Sequence, residues 1–353
     1  MPEIDREKAI SFHDMALAAG KITVALHQHP DGDAAGCALA MVSYLRSLGK
    51  DAAALFPDRL DNTVSFLTAL APEESFAFFP DSPAAAGKRV AESDLLLVMD
   101  CNSCGRTGNL APFLESAKAP KVLVDHHLGP VEEEFVLTFS TPEVSSASEM
   151  TYWLLLMMPE IQGDPGKLPG KSAELLMTGM TTDTNNFANS TFPSTLEMAS
   201  GLLSAGVDRD ALLERLYHSC RESRLRAMGC MLEKMEVFPE GAALMIMTME
   251  ERERFGIQDG DTEGFVNIPL EMGSVRLSVW LKEDEGYFRV SVRSKKGTSA
   301  ARMAALYFCG GGHEQASGGR LWIGEQDDPA RKWIKSAEDA LEYAEKAIRE
   351  FLG

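Results

Sequence analysis

The residues with chemical potential in this chain fall into short polar clusters: His27-Gln-His29-Pro-Asp31-Gly-Asp33, Asp100, Asp125-His126-His127, and Asp183 within a stretch from Gly179 to Phe187. Asp31, Asp33, Asp100 and Asp183, with His27 and His126, offer oxygen and imidazole donors but no thiolate. A hard, carboxylate-rich set of this kind suits manganese or magnesium better than structural zinc. Carboxylates this crowded repel one another, and bound cations are the natural compensation. Two cations roughly 3.5–4 Å apart can activate a water and take up charge developing on a phosphoryl oxygen. The residues therefore point to a two-metal phosphoesterase. Any one of them alone would pass for a loop carboxylate or a core histidine. Asp183 by itself fits a helix-cap or turn aspartate as well as a ligand, and it is the other clusters that decide for the ligand.

Something must bring these clusters together. Each of the first three directly follows a short apolar run: 22–26 before His27, 95–99 before Asp100, and 122–124 before Asp125. Read as strands, with a fourth at 52–56, they alternate with helical stretches. The first of these is the helix in which Ala38, Val42 and Leu45 share a face and Gly49 marks the end. Further helices are expected over 148–158 and 173–180, around a Pro/Gly-rich loop at 159–170. Strands alternating with helices predict an α/β fold with a parallel sheet covered on both faces. In such sheets, sites form at the carboxyl ends of the strands, which is where all three clusters lie.

Length and charge set the outer limits. The 353 residues suggest about two domains. Lys and Arg number 34 against 53 Asp and Glu, a net charge of −19. A surface that negative disfavours long polyphosphate backbones, whose binding depends on basic side chains, so a long duplex partner is not expected. No apolar stretch is long enough for a membrane span, and the start has no apolar signal-peptide core. The six cysteines lack the density and spacing of a secreted framework. The expected location is the cytoplasm.

The second half begins with a charge-rich helical stretch, 208–235, that reads as a connecting helix. Strand candidates follow at 242–247, 275–281 and 287–294. Cys309-Gly310-Gly311-Gly312-His313 then follows an amphipathic run at 301–308. Consecutive glycines can let backbone N–H groups approach an anion, although a triple glycine taken alone is more often a turn. Arg293-Ser294 ends a strand candidate and supplies a guanidinium suited to a phosphate fork, though a lone arginine is more often a surface charge. Cys101-Asn-Ser-Cys104 reads as packing, His13 and His218 as structural or exposed, and methionines such as Met150, Met157 and Met158 as core filler. The tail carries an amphipathic helix, with Ser336-Ala-Glu-Asp339 as its capping box.

Taken together, these motifs resemble the DHH phosphoesterase family, whose name is the triplet seen here as Asp125-His126-His127. The likeness is greatest to its stand-alone members, the nanoRNase (oligoribonuclease) and pAp phosphatase group, which includes cyclic-dinucleotide phosphodiesterases. Asp100 is followed by Arg106, and Thr182-Asp183-Thr184 precedes Phe187. Ser146 and Glu149 match the polar positions after the triplet. The second half resembles the DHH-associated domain, through 262–267, Val292-Arg293-Ser294, and Gly310 to His313 with Ala316 and Gly318. Asn185 stands where the family often has glycine, Cys309 replaces the first glycine of a longer run, and His29 is an uncommon choice.

The resemblance implies a catalytic, metal-binding DHH domain at 1–205, a helical linker at 206–236, and a smaller α/β substrate-binding domain at 237–353 with a C-terminal helix. A cleft would lie between the domains. It also implies two manganese ions, with magnesium or cobalt as substitutes. One ion would be held by His27, Asp31 and Asp100, the other by Asp33, Asp100, His126 and Asp183. His127, with Asp125, would act beside the scissile phosphate. Arg106, Arg293, Ser294, Gly310, Gly311, Gly312 and His313 would bind substrate. The expected function is hydrolysis of short oligoribonucleotides, of pAp, or of both, to mononucleotides. Cyclic di-AMP or pApA hydrolysis is the alternative, and an exopolyphosphatase activity is weaker. A nucleotide sensor with a spent site would lack a ligand, and none is missing. A homodimer rests on the family alone.

Overall fold

In the computed structural model the apolar runs form strands buried on both sides. The first sheet contains β1 (Lys21–Leu26), β2 (Asp51–Phe56), β3 (Phe76–Phe78), β4 (Leu95–Met99), β5 (Lys121–Asp125) and β6 (Leu137–Ser140). All pairs are parallel, in the order β3-β2-β1-β4-β5-β6. Alternate residues of β4 go to opposite faces: Leu95, Leu97 and Met99 join one core cluster, Leu96 and Val98 the other. That two-sided burial is why these strands read as continuous apolar runs rather than alternating ones. The structure describes residues 4–218, 220–258, 260–312, 314–325 and 328–353. The chain divides into two units, Met1–Ser219 and Cys220–Gly353.

In the first unit the helices are α1 (Arg6–Ala18), α2 (Gly32–Ser47), α3 (Pro83–Ala91), α4 (Ala111–Ser116), α5 (Ala147–Leu156), α6 (Ser172–Asp183), α7 (Pro193–Ser204) and α8 (Arg209–Tyr217). Side chains of α1, α2 and α5 to α8 pack on one face of the sheet, while α3 and α4 cover the other. Helix α2 is buried almost throughout, and Leu48 and Gly49 end it, the glycine at φ 78°. The strand order reverses direction between β1 and β4. This is the topological switch point, where the loops at the strand carboxyl ends diverge and leave a crevice.

The second unit holds α9 (Glu222–Glu233), β7 (Glu236–Phe238), β8 (Ala242–Met247), α10 (Met249–Phe255), β9 (Leu277–Asp284), β10 (Tyr287–Ser294), α11 (Ala300–Tyr307), β11 (Gly311–Gly312), β12 (Ala316–Ile323), β13 (Trp333–Ile334) and α12 (Ala337–Leu352). Its sheet is mixed, in the order β11-β12-β10-β9-β8-β7 with β13 beside β12; β8–β9 and β12–β13 are parallel and the other pairs antiparallel. Ala242, Leu244 and Ile246 face α11 and α12, while Met245 and Met247 face α9 and Phe265.

Three expectations change in detail. The single helix expected over 208–235 is two helices, α8 in the first unit and α9 in the second. The strand expected from 275 begins at Leu277 and runs on to Asp284. The capping box of α12 is only half formed: Ser336 Oγ accepts from Asp339 N at 3.2 Å, but the Asp339 carboxylate accepts from Lys335 N instead of Ser336 N. Among the described residues, no helix is long and apolar enough to cross a membrane.

Candidate metal centre

The carboxyl ends of β1, β4 and β5 supply His27, Asp100 and the Asp125 triplet on both sides of the switch point. Asp100, 2% exposed, adopts a left-handed φ of 54° immediately after β4. Its Oδ2 lies 3.3 Å from His27 Nε2, and its Oδ1 lies 3.4 Å from His126 Nε2. His27 Nδ1 is paired with the Gln28 carbonyl at 2.8 Å, which turns Nε2 toward Asp100. His27 Nε2 is also 3.9 Å from Asp31 Oδ1, and His126 Nε2 is 3.7 Å from Asp183 Oδ2. Two donor groups result, His27–Asp31–Asp100 and Asp33–His126–Asp183, each with ligand atoms within 4.8 Å of one another. Asp100 also groups with His126 and His127.

The carboxylates differ in how they are held. Asp31 is the N-cap of α2, and its Oδ1 accepts from Asp33 N at 2.9 Å and Ala34 N at 3.1 Å. Asp33, in the first turn of α2, is gripped by the start of another helix: Oδ2 accepts from Ala147 N at 2.6 Å and Oδ1 from Ser148 N at 2.8 Å. The N-terminus of α5 therefore acts as an anion cradle for a carboxylate of the same chain. Ser146 caps α5 by accepting from Glu149 N at 3.0 Å. The buried Glu149 carboxylate accepts from Ser145 N, Ser145 Oγ and Thr195 Oγ1. Ser146 and Glu149 thus serve the centre by building the cradle. The spacing Ser146-x-x-Glu149 marks the start of α5 in the sequence, but nothing in it marks Asp33 as the carboxylate held there.

Glycines let the helices meet. A Cβ on Gly32 would stand 2.5 Å from Thr182 Oγ1, and one on Gly36 would stand 2.5 Å from the Leu175 carbonyl. The close approach of α2 to α6 brings Asp183, the last residue of α6, beside Asp33. Asn185, where the resemblance favours glycine, has φ 46°, a left-handed conformation that asparagine tolerates.

His127 is oriented by Asp125, which is fully buried. Asp125 Oδ1 lies 2.7 Å from His127 Nδ1 and Oδ2 accepts from His127 N at 3.1 Å. With Nδ1 donating, Nε2 is left to handle a proton. Arg106 sits half-buried in the 3-10 turn Cys104–Leu110, and its carbonyl accepts from Gln28 N at 2.9 Å, tying that turn to the first cluster. His29, 81% exposed with φ 55°, is braced by Asp58, whose Oδ2 accepts from its backbone N at 2.9 Å. Asp58 carries no motif that could have marked it.

The electrostatics demand positive charge. Burial and the charges of Asp100 and Asp183 push the Asp33 carboxyl well above its usual value, and burial raises Asp183 to about 6. Burial would raise Asp100 too, but the facing His126 and His27 imidazoles outweigh it and hold Asp100 at about 2. Burial opposes charge on both imidazoles, yet the hydrogen bond and charge of Asp100 lift His27 to about 9, and Asp100 with Asp33 lifts His126 to about 10. Even so, Asp100 Oδ1 is a buried carboxylate oxygen with no hydrogen-bond partner, a costly arrangement unless a cation compensates it. The donor set, the spacing and this orphaned oxygen all fit divalent metal. Mn2+ at about 100 times its Kd should stabilise the protein by roughly 2.7 kcal/mol, a rise of roughly 5–10 °C in Tm for a unit of this size. A Tm indifferent to Mn2+ would argue against the centre.

In the second unit, Arg293 lies half-buried on β10, and its Nη1 donates to the Val292 carbonyl at 3.0 Å and the Ser317 carbonyl at 3.3 Å. Burial lowers its pKa. Ser294 Oγ donates to the Thr298 carbonyl at 2.6 Å, so this hydroxyl holds its own loop. The glycine run is an edge strand rather than a turn: Gly311 and Gly312 pair with Gly318 and Ser317. Gly310 is there for space, because a Cβ would lie 1.9 Å from the Gly318 carbonyl, and Gly312 has φ 145°. Nothing crowds Gly311. His313 lies outside the described residues.

The chain is similar to known proteins. A family model described as the DHH family, N-terminal domain, matches residues 21–180. The chain is 27% identical to the bifunctional oligoribonuclease and PAP phosphatase NrnA of Bacillus subtilis, over 87% of this chain and 91% of that protein. It is 28% identical to the protein of the same name from Thermus thermophilus, over 92% and 91%. An exopolyphosphatase-related protein from Bacteroides fragilis has a solved structure that superposes with a TM-score of 0.86 at 31% identity, covering 99% of this chain and 98% of that one.

Proposed function

The chain belongs to the DHH family, and from that premise we propose that it is a two-metal phosphoesterase, using manganese by preference, that hydrolyses short oligoribonucleotides, pAp or both to mononucleotides. The observation that carries this reading is Asp100: one buried carboxylate set between His27 and His126, with one oxygen lacking any hydrogen bond. His27, Asp31 and Asp100 would hold one ion, and Asp33, Asp100, His126 and Asp183 the other. Bound there, the ions supply Lewis acidity toward a phosphoryl group and lower the pKa of an attacking water.

The remaining work falls to the chain. Asp125 fixes the His127 ring, and His127 Nε2 exchanges a proton with the attacking water or the leaving oxygen. Asp31 and Asp33, locked by backbone amides, keep their positions whether or not substrate is present, so little reorganisation accompanies the reaction. Arg106 serves substrate binding beside the first cluster. In the second unit, Arg293 and the exposed backbone at Gly311 suit a substrate phosphate, and Gly310, Gly312, Ser294 and His313 complete that segment. The net charge of −19 favours short substrates, because their few phosphates can be neutralised locally.

The test is a manganese-dependent hydrolysis panel of a five-nucleotide RNA, pAp, pApA, cyclic di-AMP and polyphosphate. The RNA, pApA or pAp should turn over fastest. Preference for cyclic di-AMP would make the protein a second-messenger hydrolase, and preference for polyphosphate would reject the nucleotide reading. Nucleotide binding without turnover of any substrate would reject the enzyme.

A further inference from the structure

Immediately beyond Asp183, the chain leaves α6 through backbone that most side chains avoid. Asn185, Asn186 and Phe187 have φ values of 46°, 58° and 68°. Asparagine enters this left-handed region with little penalty, but for a bulky aromatic it is a true outlier. Such strain persists only where the surroundings over-determine it. Part of the restraint is local. Thr184 Oγ1 donates to the Met180 carbonyl at 2.8 Å and accepts from Phe187 N at 3.0 Å, while Asn186 N donates to the Thr181 carbonyl at 2.8 Å.

The rest comes from a different helix. Arg209, the first residue of α8, donates from Nη2 to Asn186 Oδ1. The same guanidinium lies over the Phe187 ring, 5.4 Å from its centroid. One planar group thus holds two of the three left-handed residues. A guanidinium can donate sideways while stacking on a ring, whereas an ammonium is a point charge without a face.

Asp183 has particular need of such a brace. Asp31 and Asp33 are each locked by two backbone amides. The Asp183 carboxylate makes no hydrogen bond among the described residues, and its near neighbour is His126 at 3.7 Å. Its direction is therefore set by its backbone, at the very end of α6, where the chain turns into the strained segment.

We propose that Arg209 is a positioning residue for Asp183: by pinning Asn186 and Phe187 it fixes the end of α6 and aims the carboxylate at the metal set it shares with Asp33 and His126. Arg209 is not one of the donor residues grouped at the centre. The proposal rests on Asp183 being a metal ligand.

The experiment is a Mn2+ titration of the full-length protein, reading free Mn2+ by electron paramagnetic resonance, for the parent, Asp183→Asn, Arg209→Ala and Phe187→Leu, with the Tm of each apo protein alongside. Asp183→Asn should weaken one of two binding events. Arg209→Ala should weaken that same event roughly 10-fold, the scale of losing an outer-shell partner, and leave the other event and the apo Tm close to the parent. Phe187→Leu, which keeps apolar bulk but removes the ring, should weaken the same event by a smaller factor. If Asp183→Asn weakens an event that Arg209→Ala leaves intact, the brace is refuted while the ligand stands. Equal weakening of both events together with a lowered Tm would make Arg209 a general support of the fold and overturn the proposal. No effect from Asp183→Asn would remove the ligand itself, and the brace with it.

Discussion

Replacing Asp100 with asparagine is expected to lower kcat by more than about a thousandfold at saturating Mn2+ while leaving the fold intact. Loss of an outer-shell partner alone costs roughly 10–100-fold. Asp100 is placed to serve both donor sets, with Oδ2 facing His27 and Oδ1 facing His126, so its loss should exceed that range. The fold should survive because asparagine tolerates the left-handed φ of 54° and the backbone N of residue 100 still donates to the Val124 carbonyl. Removing one buried charge also relieves repulsion with Asp31, Asp33 and Asp183. It also takes away the anion that holds His27 and His126 protonated, and because that attraction keeps Asp100 at about 2 the apo variant should melt below the parent, while the Mn2+-induced rise in Tm disappears. Activity within tenfold of the parent would take Asp100 out of the centre.

The second large effect is expected from Gly179→Ala, which adds a single carbon. That carbon would lie 2.0 Å from Ser148 Oγ and 2.8 Å from Asp33 Oδ1, where three helices meet. Overpacking of this kind costs about 1–3 kcal/mol. Here it should also dislodge Asp33 from the amides of Ala147 and Ser148, so Mn2+ affinity should fall along with Tm. Gly36→Ala provides the contrast, since its clash is with the Leu175 carbonyl rather than with a ligand; it should lower Tm with a smaller effect on metal. Ser148 Oγ is buried without a hydrogen-bond partner, so adding Ser148→Ala to Gly179→Ala should restore part of both losses. Metal affinity unchanged in Gly179→Ala would show that Asp33 does not depend on this packing.

The sequence was most legible where burial is two-sided. Runs such as 95–99 read as interior strand candidates, and a polar residue at the end of each is a strong local signal. The clusters were therefore readable in the sequence as one candidate centre. Short edge strands such as β3 and β6 escaped because a few residues carry no period. The break between α8 and α9 escaped because both are charge-rich and amphipathic, and nothing in the periodicity marks where one unit ends. The grip of α5 on Asp33 joins residues 114 positions apart, and pairing at that range leaves no trace in a local pattern. At the glycines 310 and 312 the sequence shows freedom to turn but not the strand that lies against them. The Thr298 carbonyl that Ser294 Oγ meets was hidden for a similar reason, since it is set by the loop's path.

The dispersal of the ligands has a consequence for how the protein comes into being. The proposed metal centre draws on the first cluster, on Asp100, on the Asp125 triplet and on Asp183, with α5 needed to hold Asp33. A nascent chain emerging from the ribosome cannot assemble it until α6 has cleared the exit tunnel. Parallel pairings between distant segments are also slow to form. Until then the carboxylates remain apart and hydrated, with no geometry to retain an ion. Metal capture would thus be a late event in biosynthesis, a tally that the first unit has been made and folded as far as α6, rather than a nucleus around which it folds.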